Sequence, residues 1–385
     1  MLRSLYSGIS GLRAHQQMMD VTGNNIANVN TVGYKTSQVV FQDTLSQMVN
    51  AAGAPQNGAA GTNPAQVGLG VRTASIAANF GQGAAQTTGK SSDMMIQGDG
   101  FFIVRSGGEE LYTRAGSFSF DANGTLTTPN GQTVQGWSAD NGVVNTADVP
   151  GDIKLPIGVT LAPTVTTNIT LTGNFSNEAA VGDTQQMSVK VYDAAGAATS
   201  MVATFTKADA NTWTMSLPDG STAALNFTAG RGPDSVTAGG YTFDTHDVTQ
   251  YSGLTSAHVS NSDGSASGVL ASYTVSNTGQ IVGVFSNGLK QSLGQVALAN
   301  FNNVNGLEKI GDSMFRSTVN SGLAQVGAAG TQGLGMITSG ALEMSNVDLA
   351  QEFTNLVIAQ RGFQANSRII TTSDEILQEL VNLKR

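Results

Sequence analysis

Hydrophobic and polar positions along this chain change period twice, and the longest regular run lies at its end. From Ser345 to Arg385, apolar residues recur at every third or fourth position, at Leu349, Phe353, Leu356, Phe363, Ile370, Leu377 and Val381, with Gln360, Ser367 and Asp374 on the same row. This spacing predicts one amphipathic helix, opened by a capping box of Ser345 and, three residues on, Asp348. Ile376, Leu380 and Leu383 widen the row near the end. At about 1.5 Å per residue such a helix reaches about 55 Å, more than a compact domain covers. The start of the chain repeats the pattern at Leu2, Leu5, Ile9, Leu12, Met19 and Ile26, interrupted by Gln16 and Gly23. Two ends with matching rows predict a coiled coil, parallel or antiparallel. Apolar burial along one such pair falls short of the entropy lost in ordering its backbone, so the pair is expected to complete itself against copies of the chain. Period alone fits core helices of a single domain equally well.

Between the ends the period drops to two. Residues 36–70 carry no sustained pattern beyond Val39, Val40, Phe41 and Leu45, and read as an extended connector rich in Gly, Ala and Asn. Gln97-Gly98-Asp99-Gly100 reads as a turn feeding a buried strand from Phe101 to Val104, and Phe118 and Phe120 should share one sheet face. Asp121–Gly124 and Pro129–Gly131 supply hairpin turns. Ile169–Thr172, Met187–Tyr192, Met201–Phe205 and Trp213–Leu217 alternate as strands of a further β domain, a sandwich or flattened barrel. From Ser272 a meander returns, with turns at Asn277-Thr278-Gly279 and Asn287-Gly288. The expected fold is mainly β with long terminal α-helices, in discontinuous nested domains. Residues 1–30 and 345–385 form a coiled coil, 31–70 a connector, 71–145 with 268–344 a first β domain, and 146–267 an inserted one; both β domains lie outside the coiled coil.

Composition narrows the chemistry. Charged residues make up 12% of the chain, so Ser, Thr, Asn, Gln and Gly must cover much of its surface, and the net charge of −9 argues against binding nucleic acid or an anionic membrane. The chain has 0 cysteines, which excludes disulfides and thiolate metal sites. No apolar run reaches the length of a membrane span, and Met1–Tyr6 does not resemble a secretory signal peptide, so export, if it occurs, uses another route. Gly83–Ser91 imitates a phosphate-binding loop but has one residue too many between its glycines. Ser119–Asn130 fails as a calcium loop because neither end supplies a carboxylate. His15, His246 and His258 are scattered, His246 having Asp244 and Asp247 beside it as a surface turn, and no G-x-S-x-G elbow occurs. No catalytic, cofactor or metal residue is predicted, and an enzyme is not expected.

Four motifs carry a resemblance. Asn24, Asn25, Asn28 and Asn30 crowd the end of the first helix and run into Gly33-Tyr34-Lys35; Gly98, Gly100, Phe101 and Phe102 open the first β block; Arg114 and Gly116 follow; and Gln360-Arg361 sits in the last helix. Together and in this order they resemble the axial proteins of the bacterial flagellum, the rod and hook subunits. Where many relatives have alanine and tyrosine after that arginine, this chain has Gly362 and Phe363. The resemblance covers both ends and the first β domain, and the inserted domain favours the hook kind over the shorter rod kind. It implies a subunit exported through the flagellar type III apparatus and polymerised into a curved, flexible tube. Its partners would be itself, the distal rod protein, the hook cap and the hook–filament junction protein, with no cofactor and no membrane insertion. A rod subunit and a secreted β-rich adhesin or glycan-binding module are the other readings.

Overall fold

A computed structural model describes residues 2–54, 60–140, 142–156, 158 and 160–382. Two α-helices stand at the ends, α1 (Leu2–Ala27) and α2 (Leu349–Asn382), and most of the rest is strand. Leu383 lies outside the described residues. The chain forms two compact units, the first comprising residues 1–155, 274–281 and 292–385, and the second residues 156–273 and 282–291.

In the first unit the segment read as a connector is extended but paired. β1 (Ser37–Asp43), β2 (Ser46–Asn50), β3 (Ala65–Gly68) and β4 (Val71–Ala78) form an antiparallel ribbon, β1 on β4 and β2 on β3. Every position of β2 and β3 faces solvent, including Met48, Val49 and Val67. Beyond the ribbon lies an antiparallel sheet in which Lys290–Asn300, Thr133–Asp140, Phe101–Ser106, Glu109–Thr113 and Met314–Arg316 are successive neighbours. Strand alternation sends Phe101 to one face and Phe102 to the other. Phe101 packs edge-on against Phe80, Phe301 and Phe315, and Phe102 meets Phe118 at 5.1 Å. Phe118 is buried while Phe120, expected on the same face, is half-buried on the two-residue strand Ser119–Phe120.

In the second unit two four-stranded sheets close on one core. One runs Ser235–Ala238, Tyr241–Tyr251, Asn168–Ser176, His258–Ser262; the other Thr184–Tyr192, Ala198–Asp209, Thr212–Ser216, Thr222–Asn226. The period-two rows supply that core: Met187, Val189 and Val191, then Met201, Ala203 and Phe205, then Trp213, Met215 and Leu217 are all buried. Phe175 of the first sheet joins them across the interior, 4.8 Å from the Trp213 ring and 5.3 Å from Phe205. Lys207 continues the inward row, its ammonium donating to the carbonyls of Asn177 at 2.7 Å and Ala179 at 2.8 Å.

The cap of α2 differs from the expected one. Asp348, not Ser345, is the N-cap: its Oδ1 accepts from the backbone N–H groups of Ala350 at 2.9 Å and Gln351 at 3.3 Å. Both residues suit the role, and the closer one starts the helix. Gly83–Ser91 holds no phosphate-loop geometry, since Ala85–Thr87 is a strand paired with Ala341–Glu343.

Candidate assembly interface

α1 and α2 lie antiparallel, and of the predicted rows Ile370 lies between them, beside small and polar residues that the rows did not include. Gly8 faces Ile370, Gly11 faces Asn366, Gly362 faces His15, and Asn25 donates to Glu352 at 3.3 Å. Gly8, Gly11, Ala14, Thr22 and Asn25 are the buried positions of α1, with Ala359 and Ser373 buried on α2. Small side chains let two backbones approach closely, but they bury little apolar area. Gly362, a poor residue for a helix interior, is required here because a Cβ would lie 2.5 Å from the His15 ring.

The large apolar residues flank this seam. Of the predicted row, Ile9, Leu349, Phe353, Phe363 and Val381 are exposed, Phe353 by 52% and Val381 by 68%. Leu5, Leu12, Met19, Ile26, Leu356, Ile370 and Leu377 are half-buried. The Leu2 backbone is helical. Val357, Ile358, Ile369 and Ile376 are also exposed on α2. At about 100° per residue, Leu349, Phe353 and Val357 lie to one side of the seam and Ile358, Ile369 and Ile376 to the other. Large apolar surface of this extent marks an interaction site.

The asparagine-rich signature locks the base of the helix pair to the β-rich part of the same unit. Asn25 is buried; its Oδ1 accepts from Tyr34 Oη at 3.1 Å and Ser37 N at 3.0 Å, and its Nδ2 donates to Ser37 O at 2.8 Å. Asn28 Nδ2 donates to Asn24 O at 2.9 Å, closing the helix end, while Asn30 is exposed. Gly33 turns the chain with φ +67°, and a Cβ there would lie 2.5 Å from Ala115 N. Gly116 is packed so tightly that a Cβ would fall 1.6 Å from the Met94 carbonyl oxygen. Gly98 and Gly100, both with positive φ, shape the turn into Phe101. Gln360 and Arg361 are exposed on α2, the Arg361 guanidinium 3.5 Å from Gln364 Oε1.

The lock joins Lys35 and Arg114, both within the signature motifs, to Glu343, a pairing the motifs do not announce. Lys35 is buried, and its ammonium donates to Glu343 Oε1 at 2.7 Å and Gly81 O at 2.8 Å. Gly83 N–H donates to the same carboxylate oxygen at 2.9 Å, and buried Arg114 approaches Oε2 at 3.6 Å while lying over the Phe101 ring. Burial pushes the Lys35 ammonium's pKa down against the upward pull of Glu343, and pushes the Arg114 pKa down likewise. Asn346 adds a second tie, accepting from Thr36 N at 2.8 Å and donating to Asn79 O at 2.8 Å. The strand pairing of Ala341–Glu343 brings these partners together, which no local spacing announces.

Elsewhere the geometry is structural. Asp121 Oδ1 accepts from Asn123 N at 2.9 Å and Thr125 N at 2.7 Å, a turn rather than an ion loop. His246 faces Asp234 at 3.2 Å on the surface, not Asp244 or Asp247 through its ring. Among the described residues no group of three or more His, Asp or Glu side chains could hold a metal, and no helix is long and apolar enough to cross a membrane.

Three family models match the chain: "Flagella basal body rod protein" over residues 5–35, "Flagellar hook protein FlgE/F/G D1 domain" over 95–177, and "Flagellar basal body rod FlgEFG protein C-terminal" over 338–383. The flagellar hook protein FlgE of Borreliella burgdorferi is 40% identical, with 100% of both chains aligned. FlgE of Treponema pallidum is 36% identical, and so is the flagellar basal-body rod protein FlgG of Bacillus subtilis, each again over 100% of both chains. In fold, the crystal structure of Helicobacter pylori flagellar hook protein FlgE2 is similar at a TM-score of 0.53 and 14% identity, covering 67% of this chain and 100% of that one.

Proposed function

The chain belongs to the family of bacterial flagellar hook and basal-body rod proteins, and from that membership we propose that it is a structural subunit of the flagellar hook, polymerising with itself into the tube that carries torque from rod to filament. The observation that carries the self-assembly is the inverted burial of the helical end: small and polar residues inside the seam, Phe353, Val357, Ile358 and Ile369 outside it. In the assembled tube the helix pairs act as coiled coils lining the inner wall, with apolar flanks of neighbouring copies burying one another. The β-rich parts lie outside, with the inserted domain nested in the first, and make polar contacts through Ser, Thr, Asn and Gln, many through water. Such contacts differ little in energy between registers, so subunits slide as a bent hook turns. The residues of the two predicted rows are the assembly residues in this reading, and the signature motifs hold the helical end to the β-rich part of the same chain. The distal rod protein, hook cap, hook–filament junction protein and type III export apparatus are its expected partners.

Removing residues 1–29 and 346–385 tests the division of labour. The trimmed chain keeps Lys35, Arg114 and Glu343, and should stay a folded β protein that forms no tubes under negative-stain microscopy. A trimmed chain that unfolds, or still makes tubes, overturns it. The full chain forming straight, stiff particles instead of curved ones would assign it to the rod, and saturable ligand binding by a monomeric second unit would favour the adhesin.

A further inference from the structure

Along the seam, large side chains sit against glycines at one fixed antiparallel offset. The Asn366 amide occupies the space a Cβ on Gly11 would need, which lies 2.7 Å from Asn366 Oδ1 and 2.8 Å from its Nδ2. Asn366 is held there by its own helix, Nδ2 donating to Gly362 O at 2.8 Å. One turn away the roles reverse: the His15 ring of α1 fills the space beside Gly362 of α2, with Phe41 of β1 at 6.3 Å between ring centroids. His15 Nδ1 is buried with no hydrogen-bond partner among the described residues, so the ring contributes shape rather than a polar tie. Gly8 then receives Ile370 at 3.5 Å. Sliding α2 by one turn in one direction sets Asn366 against His15; in the other it sets Gly362 against Gly11 and opens a void.

We propose that Asn366 and His15 specify the register of the α1–α2 pair, and that by this means the two apolar rows of α2 are kept facing outward, one on each side of the seam, toward further copies of this chain. A polar residue within a helix seam lowers stability and selects alignment. An apolar seam would bind more strongly in several registers and would draw Phe353 or Ile369 inward. The proposal rests on the self-assembly reading for what the rows meet, and on the seam alone for how they are aimed.

The chain has 0 cysteines, so introduced pairs report register without background. Gly8→Cys with Ile370→Cys should form a disulfide under mild oxidation of the full chain, in tubes or before assembly. Adding Asn366→Leu should lose that disulfide in favour of a reporter slipped one turn in the direction away from His15, Ser4→Cys with Ile370→Cys, and give short or irregular particles. Gly362→Ala should also lose the Gly8–Ile370 disulfide, and His15→Ala added to it should restore chain pairing. Retention of the Gly8–Ile370 disulfide as sole product in the Asn366→Leu chain, or its absence from the parent pair, overturns the proposal. A parent that forms the disulfide yet makes no tubes overturns the assembly reading and leaves the register assignment standing.

Discussion

The helical end and the β-rich parts of this molecule sort their residues in opposite ways. In the second unit Phe175, Phe205, Trp213 and Met215 are fully buried and the strand positions between them face outward. In the sheet of the first unit Phe101, Phe102 and Ile103 are buried to the same degree. Between α1 and α2 the interior is mostly glycine, alanine, threonine and asparagine, with His15 and Ile370 seated against glycines, and Phe353, Phe363, Ile358 and Ile376 are exposed. Each β core therefore draws its apolar burial from its own chain, and the helix pair does not. A region whose large apolar groups remain exposed while its small ones are covered is shaped for a covering that one chain cannot supply.

The largest expected effect breaks that contrast at its apolar rows. Phe353→Asp or Phe363→Asp should abolish polymerisation, seen by sedimentation and negative-stain microscopy, with tryptophan emission unchanged because Trp137 and Trp213 both lie in β cores. Leu356→Asp, at a half-buried position, should act in the same direction. Normal tubes from the Phe353→Asp chain would show that the exposed row is not an interface.

Next in size is the lock. Glu343→Ala leaves the Lys35 charge buried without its carboxylate and Arg114 with only the attraction of Asp99, and breaking such a pair costs about 3–5 kcal/mol. Lys35→Met should cost less, since Arg114 still faces the carboxylate. Urea unfolding followed through Trp137 in a Trp213→Phe background measures both. Equal losses would mean that Arg114 does not share Glu343.

How much of this was legible in the sequence follows from what a period can say. Alternation at Met187–Val191 and Trp213–Leu217 translates directly into buried faces, because the pleat leaves one choice. The helical rows announced two amphipathic helices and their rough limits, but a row says that a face is covered without saying by which chain. Gly8 and Gly11 give no hydrophobic signal, and Gly362 stands out only as a glycine inside a helical row, so the partners across the seam are not legible. The lock was hidden for another reason: Lys35 and Glu343 are 308 positions apart, and each charge alone reads as solvated. Asn25 was marked by the resemblance, yet its bonds to Tyr34 and Ser37 needed the turn at Gly33 to be built first. The ribbon of β1–β4 was missed because pairing of exposed strands leaves no alternation of burial to read.

A smaller effect contrasts the two β cores. The second unit buries a lysine with no carboxylate partner among the described residues: Lys207 is tied to two carbonyls. Lys207→Met strands those acceptors, costing about 1–3 kcal/mol. The loss should appear in Trp213 emission in a Trp137→Phe background, while Glu343→Ala appears in Trp137. Loss of both signals together in either variant would mean that the units unfold as one.

The smallest effect is an alkaline pH dependence of the first unit. Burial, with Glu110 adding to it, raises the pKa of Tyr112 from 10.0 to about 12. Burial and Glu352 also raise that of Tyr34. In both cases the folded chain keeps a proton that the unfolded chain releases, so the stability held below pH 10 falls as pH rises through the interval up to about 12. Lys35 has the opposite sign: its lowered folded value means the unfolded chain binds more protons below the ordinary lysine range, and stability rises with pH there. Tyr112→Phe keeps the ring that meets Phe301 at 4.7 Å and removes the titrating hydroxyl. The urea midpoint read through Trp137 should therefore fall less between pH 9 and 11 in Tyr112→Phe than in the parent, whereas that read through Trp213 should be the same in both. An identical alkaline decline in Trp137 for the two chains would assign the loss to Tyr34, moving the pH-sensitive point from the β core to the base of the helices.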